Sequence, residues 1–246
     1  MTLASHVPPD DRRSILRTAL SVGAATGAYG LSFGALAVTQ GHLNPWQAQL
    51  LSLLLFSGAS QFAIVGIVGA GGSAAAAMTS TLLLGLRNGL YGLRLSAVVH
   101  PRGWRKAFNA HVTIDESTAV TLANSDEVAP DRERSAYAFW STGLSVFILW
   151  NIATAIGALA ARHIGDPRQF GLDAAIPCGF AALILPRLRS FNDWLLSGLA
   201  AVIAVGVSPW VRPGVPVLIV AAATLIIAVF NTRRQPPSPL GDGKPS

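Results

Sequence analysis

TALSVGAATGAYGLSFGALAVTQGHLNPWQAQLLSLLLFSGASQFAIVGIVGAGGSAAAAMTSTLLLGL, from Thr18 to Leu86, runs for 69 residues without an Asp, Glu, Lys or Arg. Tyr29 and His42 are its only titratable side chains. A helix that crosses a bilayer needs about 20 predominantly apolar residues, so the stretch is long enough for three. Further uncharged runs follow at Ser135–Ala161, Trp194–Val211 and Pro213–Thr232. Over the whole chain of 246 residues, 51% are hydrophobic and 12% charged, with a mean hydropathy of +0.48. A soluble domain carries roughly 25% charged residues, so this chain cannot cover a soluble surface with charge. The same numbers exclude disordered, collagen-like and coiled-coil chains. The expected fold class is an all-α polytopic transmembrane helical bundle with about six to eight membrane segments.

The net charge of +6 would point to nucleic acid in a soluble protein. Here 16 of the 18 basic residues are Arg, and most lie in short loops between apolar runs. That is the pattern of topology signals and lipid-headgroup contacts, so the expected surroundings are a lipid bilayer, with no nucleic-acid partner. The stretch from Asp11 to Arg17 resembles a twin-arginine export signal, with Ala35-Leu36-Ala37 as a small-x-small cleavage site. The reading preferred here is a cytoplasmic basic flank over residues 1–17, because everything downstream is membrane-like.

Breaker residues divide the rest. Segments are expected at about 18–40, 46–70, 74–99, 135–161, 169–185, 194–211 and 213–232, giving a permease domain over 18–232, a polar loop at 100–134 and a disordered tail at 233–246. Asn44-Pro45 should open the second segment, which Ser57–Gln61 interrupts. If all seven segments cross once, with the N-terminus inside, the basic loop residues divide six inside to ten outside, against the positive-inside rule. If one segment before residue 100 re-enters without crossing, the split becomes thirteen to three. If residues 107–125 form an extra crossing, it is ten to six. Both termini are therefore expected in the cytoplasm, with the broken second segment as the re-entrant one. Each half has one apolar segment broken by small or helix-disrupting residues, Ser57–Gln61 in the first and Ala174–Gly179 around Pro177 in the second, a pattern of two related halves like the paired broken helices with which transporters build a midplane site.

Few polar residues interrupt the apolar runs. Ser57-Gly58-Ala59-Ser60-Gln61 combines small residues, which let a backbone unwind, with Ser57, Ser60 and Gln61 as hydrogen-bonding groups. The competing reading is close helix packing. Arg87, Tyr91 and Arg94 share a helix face at i, i+4 and i+7, flanked by Asn88. Only 13 uncharged residues, Ala74–Leu86, precede Arg87 in its segment. Arg87 is thus either embedded, pairing with a substrate carboxylate or a buried acid, or interfacial. Asp115-Glu116 lies in a short polar-faced helix and could bind protons or an ammonium; from spacing alone, a solvated helix opposite Arg102, Arg105 and Lys106 is preferred. Asp173 is either a partner for Arg87 or a first-turn acid ahead of Pro177. The single cysteine, Cys178, excludes an intramolecular disulfide and a Cys-based zinc cluster. His6, His42, His100, His111 and His163 offer no ligand pair on one helix face, and Gly69–Ser73 lacks a P-loop ending. No metal or cofactor is expected.

These residues, in order, resemble the AzlC-type branched-chain amino acid permease family. The resemblance runs from Gly30-Leu31-Ser32-Phe33-Gly34 through Phe56-Ser57-Gly58-Ala59-Ser60-Gln61-Phe62 and Leu86-Arg87-Asn88-Gly89-Leu90-Tyr91-Gly92 to Asp115-Glu116 and Gly171-Leu172-Asp173-Ala174-Ala175-Ile176-Pro177. It covers about residues 18–230. The family often places His after that Arg; Asn88 leaves no titratable group there. The resemblance implies the large subunit of an exporter of leucine, isoleucine and valine, sometimes methionine, with a small AzlD-type membrane partner and a proton-motive driving force. It implies no enzyme activity. Two other readings remain open on the residues alone: a non-transporting assembly or sensor subunit, and an intramembrane serine protease using Ser60, which would need a base within hydrogen-bond reach.

Overall fold

The computed structural model describes residues 7–99, 103–125, 131–163, 181, 184–185 and 188–232. Among the described residues the chain is helical and contains no strand. It is an all-α membrane bundle, as composition requires. Three helices are long and apolar enough to cross a bilayer: Pro9–Thr39, Arg132–His163 and Phe191–Trp210.

The first helix, α1 (Pro9–Thr39), starts nine residues before the expected Thr18. Pro9 suits the first helical turn, where its missing N–H is not needed, and Asp10 and Asp11 complement the positive end of the helix dipole. The basic flank is therefore part of the bundle, and Ile15 packs with Val120 and Ala138. The long helix α7 (Arg132–Ala160) is capped by Asp131, which accepts from the N–H groups of Glu133 and Arg134 at 3.0 and 3.1 Å.

These two helices form the spine. Gly23, Gly27, Gly30 and Gly34 recur on one face of α1 and meet α7 backbone to backbone. A Cβ at Gly23 or Gly27 would lie 2.9 Å from the Cβ of Ser145 or Leu149, and one at Gly30 would lie 2.6 Å from the Trp150 carbonyl. Gly34 meets Thr154, and Gly157 meets Leu31, closer still. Small residues at such spacing let membrane helices approach without side chains between them. The contacts advance together along both chains, so α1 and α7 run parallel. Parallel spans require an odd number of crossings between them, which removes the six-to-ten arrangement.

The connection explains the parity. The helix α2 (Pro45–Leu54) opens on an Asn44–Gln47 capping box, with both hydrogen bonds at 2.9 Å. Its helical pattern stops at Leu55–Ser57, and α3 (Gly58–Gly69) follows. The break, at Phe56, packs on Phe147 near the middle of α7, with ring centroids 5.0 Å apart. The end of α3 returns to its level of entry, where Gly69 touches the Gln40 carbonyl and a Cβ on Gly41 would lie 3.1 Å from Val65. With 10 and 12 residues, each arm covers about half of a ~30 Å hydrocarbon core. The segment expected to re-enter is therefore a hairpin of two half-length arms.

Helix α4 (Ala74–Val99) matches its expected range and runs past the tip of that hairpin. The region expected as a polar loop then makes a second hairpin. Helix α5 (Arg105–His111) climbs along α7, with Phe108 stacked on Trp140 and His111 against Phe147. Helix α6 (Asp115–Ala123) descends until Arg134 donates to the Asn124 side chain at 3.4 Å. Ser117 braces the turn, accepting from the Ile114 N–H at 3.0 Å and donating to the Val112 carbonyl at 2.9 Å. The two hairpins enter from opposite ends, and their tips meet at Phe56 and His111, 6.0 Å apart. Outside the two hairpins, α4 is then the one helix between α1 and α7 among the described residues. The second break expected around Pro177 lies outside the described residues; the break seen is at Val112–Ile114.

Helices α8 (Phe191–Val207) and α9 (Val215–Thr232) pack on each other, and α9 on α4. Leu82, Leu86 and Leu90 of α4 are 63–68% exposed and α8 has no buried residue, surfaces suited to acyl chains. Exposed Trp46, Trp104, Trp194 and Trp210 sit at helix ends, as in interfacial aromatic belts.

Candidate functional site

The two hairpin tips, α1, α4 and α7 enclose a cavity of about 60 Å³. Its apolar wall is Phe56, Ala59, Phe62, Ile114, Val146 and Trp150; its polar wall includes Thr26, Tyr29, Ser57, Arg87, Asn88, Asp115 and Glu116. Each element contributes from near its middle or from a hairpin tip, which places the cavity halfway through the bundle.

The tip of the first hairpin presents the start of α3. The first intrahelical bond is from the Gln61 N–H to the Ser57 carbonyl at 3.1 Å, so the N–H groups of Gly58, Ala59 and Ser60 precede it. Ser57 occupies the cap position but makes no capping hydrogen bond; its hydroxyl pairs with that of Ser60 at 3.1 Å. Ser57, Gly58 and Ala59 line the cavity, so a helix N-terminus with its partial positive charge borders it. Gly58 lies close under Trp150: a Cβ there would be 3.3 Å from the ring, a tight contact.

The tip of the second hairpin presents acids. Asp115 and Glu116 begin α6, where a negative side chain is favoured by the dipole. Arg87 Nη1 lies 2.8 Å from Asp115 Oδ2, with the side chains 30% and 14% exposed. Thr26 donates a long hydrogen bond, 3.4 Å, to Glu116. Among the lining residues, one guanidinium therefore faces two carboxyl groups. The cavity combines an acidic side, a helix N-terminus and an aliphatic-aromatic wall within one small space. A small zwitterion with an apolar side chain matches all three: carboxylate toward the α3 N-terminus, ammonium toward the acids, side chain toward Trp150 and Val146.

Of the residues singled out in the sequence, Ser57, Gly58, Arg87, Asn88, Asp115 and Glu116 come together here. The solvated-helix reading of Asp115-Glu116 is replaced: the basic partner is Arg87, from α4, and Arg87 is embedded. Ser60 and Gln61 are fully buried on another face of α3 and do not line the cavity. Ser60 donates to the Thr81 carbonyl at 3.2 Å, tying α3 to α4, and Gln61 donates to the Ser52 carbonyl at 3.4 Å, tying α3 to α2. The Ser60 proton thus goes to a main-chain acceptor, which leaves the protease reading without support from its geometry. Tyr91 sits one turn beyond Arg87 and does not line the cavity. Asp173 and Pro177 lie outside the described residues. Sequence reasoning missed Thr26, Tyr29 and Trp150; the first two, three residues apart in a run of Gly and Ala, were a usable signal, whereas nothing distinguished Trp150 from a lipid-facing aromatic.

The AzlC protein family model matches residues 21–164, a range that contains every residue lining the cavity. An uncharacterized membrane protein of Helicobacter pylori strain 26695 is 27% identical over 177 residues, covering 72% of this chain and 75% of the relative. Its counterpart in strain J99 is 25% identical over 178 residues, covering 70% and 75%. No solved structure matches the chain. With more than half of its length matched by that family model, across both hairpins and the spine, the chain belongs to the AzlC family of membrane proteins.

Proposed function

We propose that the chain is the large subunit of a secondary exporter of branched-chain amino acids, moving leucine, isoleucine, valine and methionine across the bacterial inner membrane with a small AzlD-type membrane partner. The observation that carries this reading is the cavity itself, where a helix N-terminus and a carboxylate-rich tip share a chamber walled by Phe56, Phe62, Val146 and Trp150. The family resemblance supplies the substrate class, and the chamber's chemistry is compatible with it. Both termini are assigned to the cytoplasm, because the thirteen-residue side of the charge count holds them.

The residues divide the task. The N–H groups at Gly58–Ser60 receive the substrate carboxylate. Glu116 and Asp115 receive its ammonium, and Arg87 holds the Asp115 carboxyl group in place at 2.8 Å. A proton on Glu116 or Asp115 removes the charge that holds the ammonium, so proton and substrate compete for one site. That competition is what proton-driven export requires. About 60 Å³ is well below the several hundred Å³ of a small-molecule pocket, so the walls must part to admit a branched side chain.

The test is leucine efflux from preloaded inverted and right-side-out vesicles, with and without this chain and its small partner. Export under an imposed proton gradient, cut by Arg87→Ala and Glu116→Gln at unchanged membrane abundance, is expected. Unchanged efflux of leucine, isoleucine, valine and methionine on removing the chain would refute the proposal.

A further inference from the structure

A second opening lies beside the cavity. Between the second half of α4 and α5 runs a cleft of about 640 Å³, roomy enough for a small molecule. Asn88 lines both spaces, so one side chain stands where the open cleft meets the central cavity. The α4 wall of the cleft carries Gly89 and Gly92, and a Cβ built on either would meet nothing within 4 Å. Both are interior to α4, and a side chain at either would project into the cleft without meeting the protein. They keep the wall at backbone level.

Independent of the glycines, the opposite wall holds a buried acceptor. Asn109 of α5 is 7% exposed, and among the described residues its carboxamide oxygen accepts no hydrogen bond. The carboxamide oxygen of Asn88 is likewise buried and unengaged. A buried acceptor left unmatched is costly, and an ammonium group would satisfy it. Lys106, exposed on the same cleft, offers a cation for a carboxylate, and Leu93 and Leu95 provide apolar surface between.

We propose that this cleft is the substrate's access route to the central cavity and holds an outer binding subsite for a zwitterionic aliphatic amino acid, with Asn88 as the partition between the two. The inference rests on the transport reading above and deepens it. The cleft is lined by the second half of α4 and by α5, the elements that carry Arg94, Arg105 and Lys106, whereas Phe62, Val65 and Ile67 of the other hairpin are buried. The cleft therefore lies on the side assigned to the cytoplasm, from which an exporter loads.

The experiment uses the full chain with its partner, in a Cys178→Ser background, in vesicles where parental leucine efflux is measured alongside. Gly89→Leu and Gly92→Leu, which add bulk to open space, are expected to lower efflux at least tenfold at normal abundance and thermal midpoint. Gly198→Leu, equally uncrowded but on α8, is expected to transport as the parent. As a second readout that needs no bulky side chain, Gly92→Cys is treated with a positively charged, membrane-impermeant methanethiosulfonate; labelling is expected from the cytoplasmic face and is slowed several-fold by leucine. Parental efflux from both leucine variants overturns the route. Labelling of Gly92→Cys only by a membrane-permeant maleimide overturns it as well, marking the cleft as lipid-filled, and labelling that leucine does not slow overturns the outer subsite. Absence of efflux in the parent overturns the transport reading itself, and this inference with it.

Discussion

Arg87→Ala is the perturbation whose size the structure sets best. Arg87 and Asp115 are 2.8 Å apart, and their side chains are 30% and 14% exposed. Breaking a fully buried pair costs about 3–5 kcal/mol, because a charge is stranded; an exposed pair is worth about 0–1 kcal/mol. This pair lies between, so Arg87→Ala should cost about 2 kcal/mol. For a chain of this size about 1 kcal/mol shifts the midpoint by roughly 2–4 °C, which gives a drop of about 4–8 °C, measured by tryptophan fluorescence in detergent. Asp115→Ala strands the guanidinium and should cost a similar amount. The double variant removes both charges, so it should return to within about 1 kcal/mol of the parent, a strong non-additivity for two contacting groups. Leucine efflux should not return with it. Losses that add to within about 0.5 kcal/mol would show that the two side chains do not depend on each other, and parental efflux from the double variant would show that neither is needed for transport.

Three further outcomes follow from other parts of the bundle. Gly30→Ala drives a Cβ to 2.6 Å from the Trp150 carbonyl and should destabilise by about 1–3 kcal/mol, whereas Gly85→Ala, with nothing within 4 Å, should be neutral or stabilising by about 0.5–1 kcal/mol; thermal midpoints of the two variants compare them directly. Ser60→Ala loses the hydrogen bond to Thr81 and should cost about 1 kcal/mol while keeping efflux, but Gly58→Val, which crowds Trp150 inside the cavity, should abolish efflux; the reverse order would move the site to Ser60. Asp115→Asn and Glu116→Gln should lose efflux driven by a pH gradient while one or both retain leucine–leucine exchange, and full gradient-driven transport in both variants would remove these acids from coupling.

The solvent of this chain was legible before its shape. Sixty-nine uncharged residues leave no alternative to lipid, and the first re-entrant hairpin could be named from Ser57–Gln61 and the charge count together. The second could not. Residues 105–123 carry the polarity of a surface loop, and that polarity is spent on a turn braced by Ser117 and on the acids at the α6 tip. Hydropathy reports the average environment of a segment, and a short hairpin lining a cavity averages like a loop. Spacing left Arg87 either embedded or interfacial and could not supply its partner, because the partner lies on an element whose depth the sequence does not encode locally. The Ser-Gly-Ala-Ser-Gln run was read as one functional unit; a helix start has two sides, and only Ser57, Gly58 and Ala59 face the cavity.

The glycine seam between α1 and α7 bears on how such a protein could work at all. Two rods locked main chain to main chain cannot slide or tilt past one another without lifting Gly30 and Gly34 out of their seats, so they behave as a keel. Any alternation between the two sides must fall to the lighter parts hung on it, the pair of opposed half-depth loops whose ends abut at the centre. Transport would then resemble a canal lock built against one fixed bank, with two short gates taking turns.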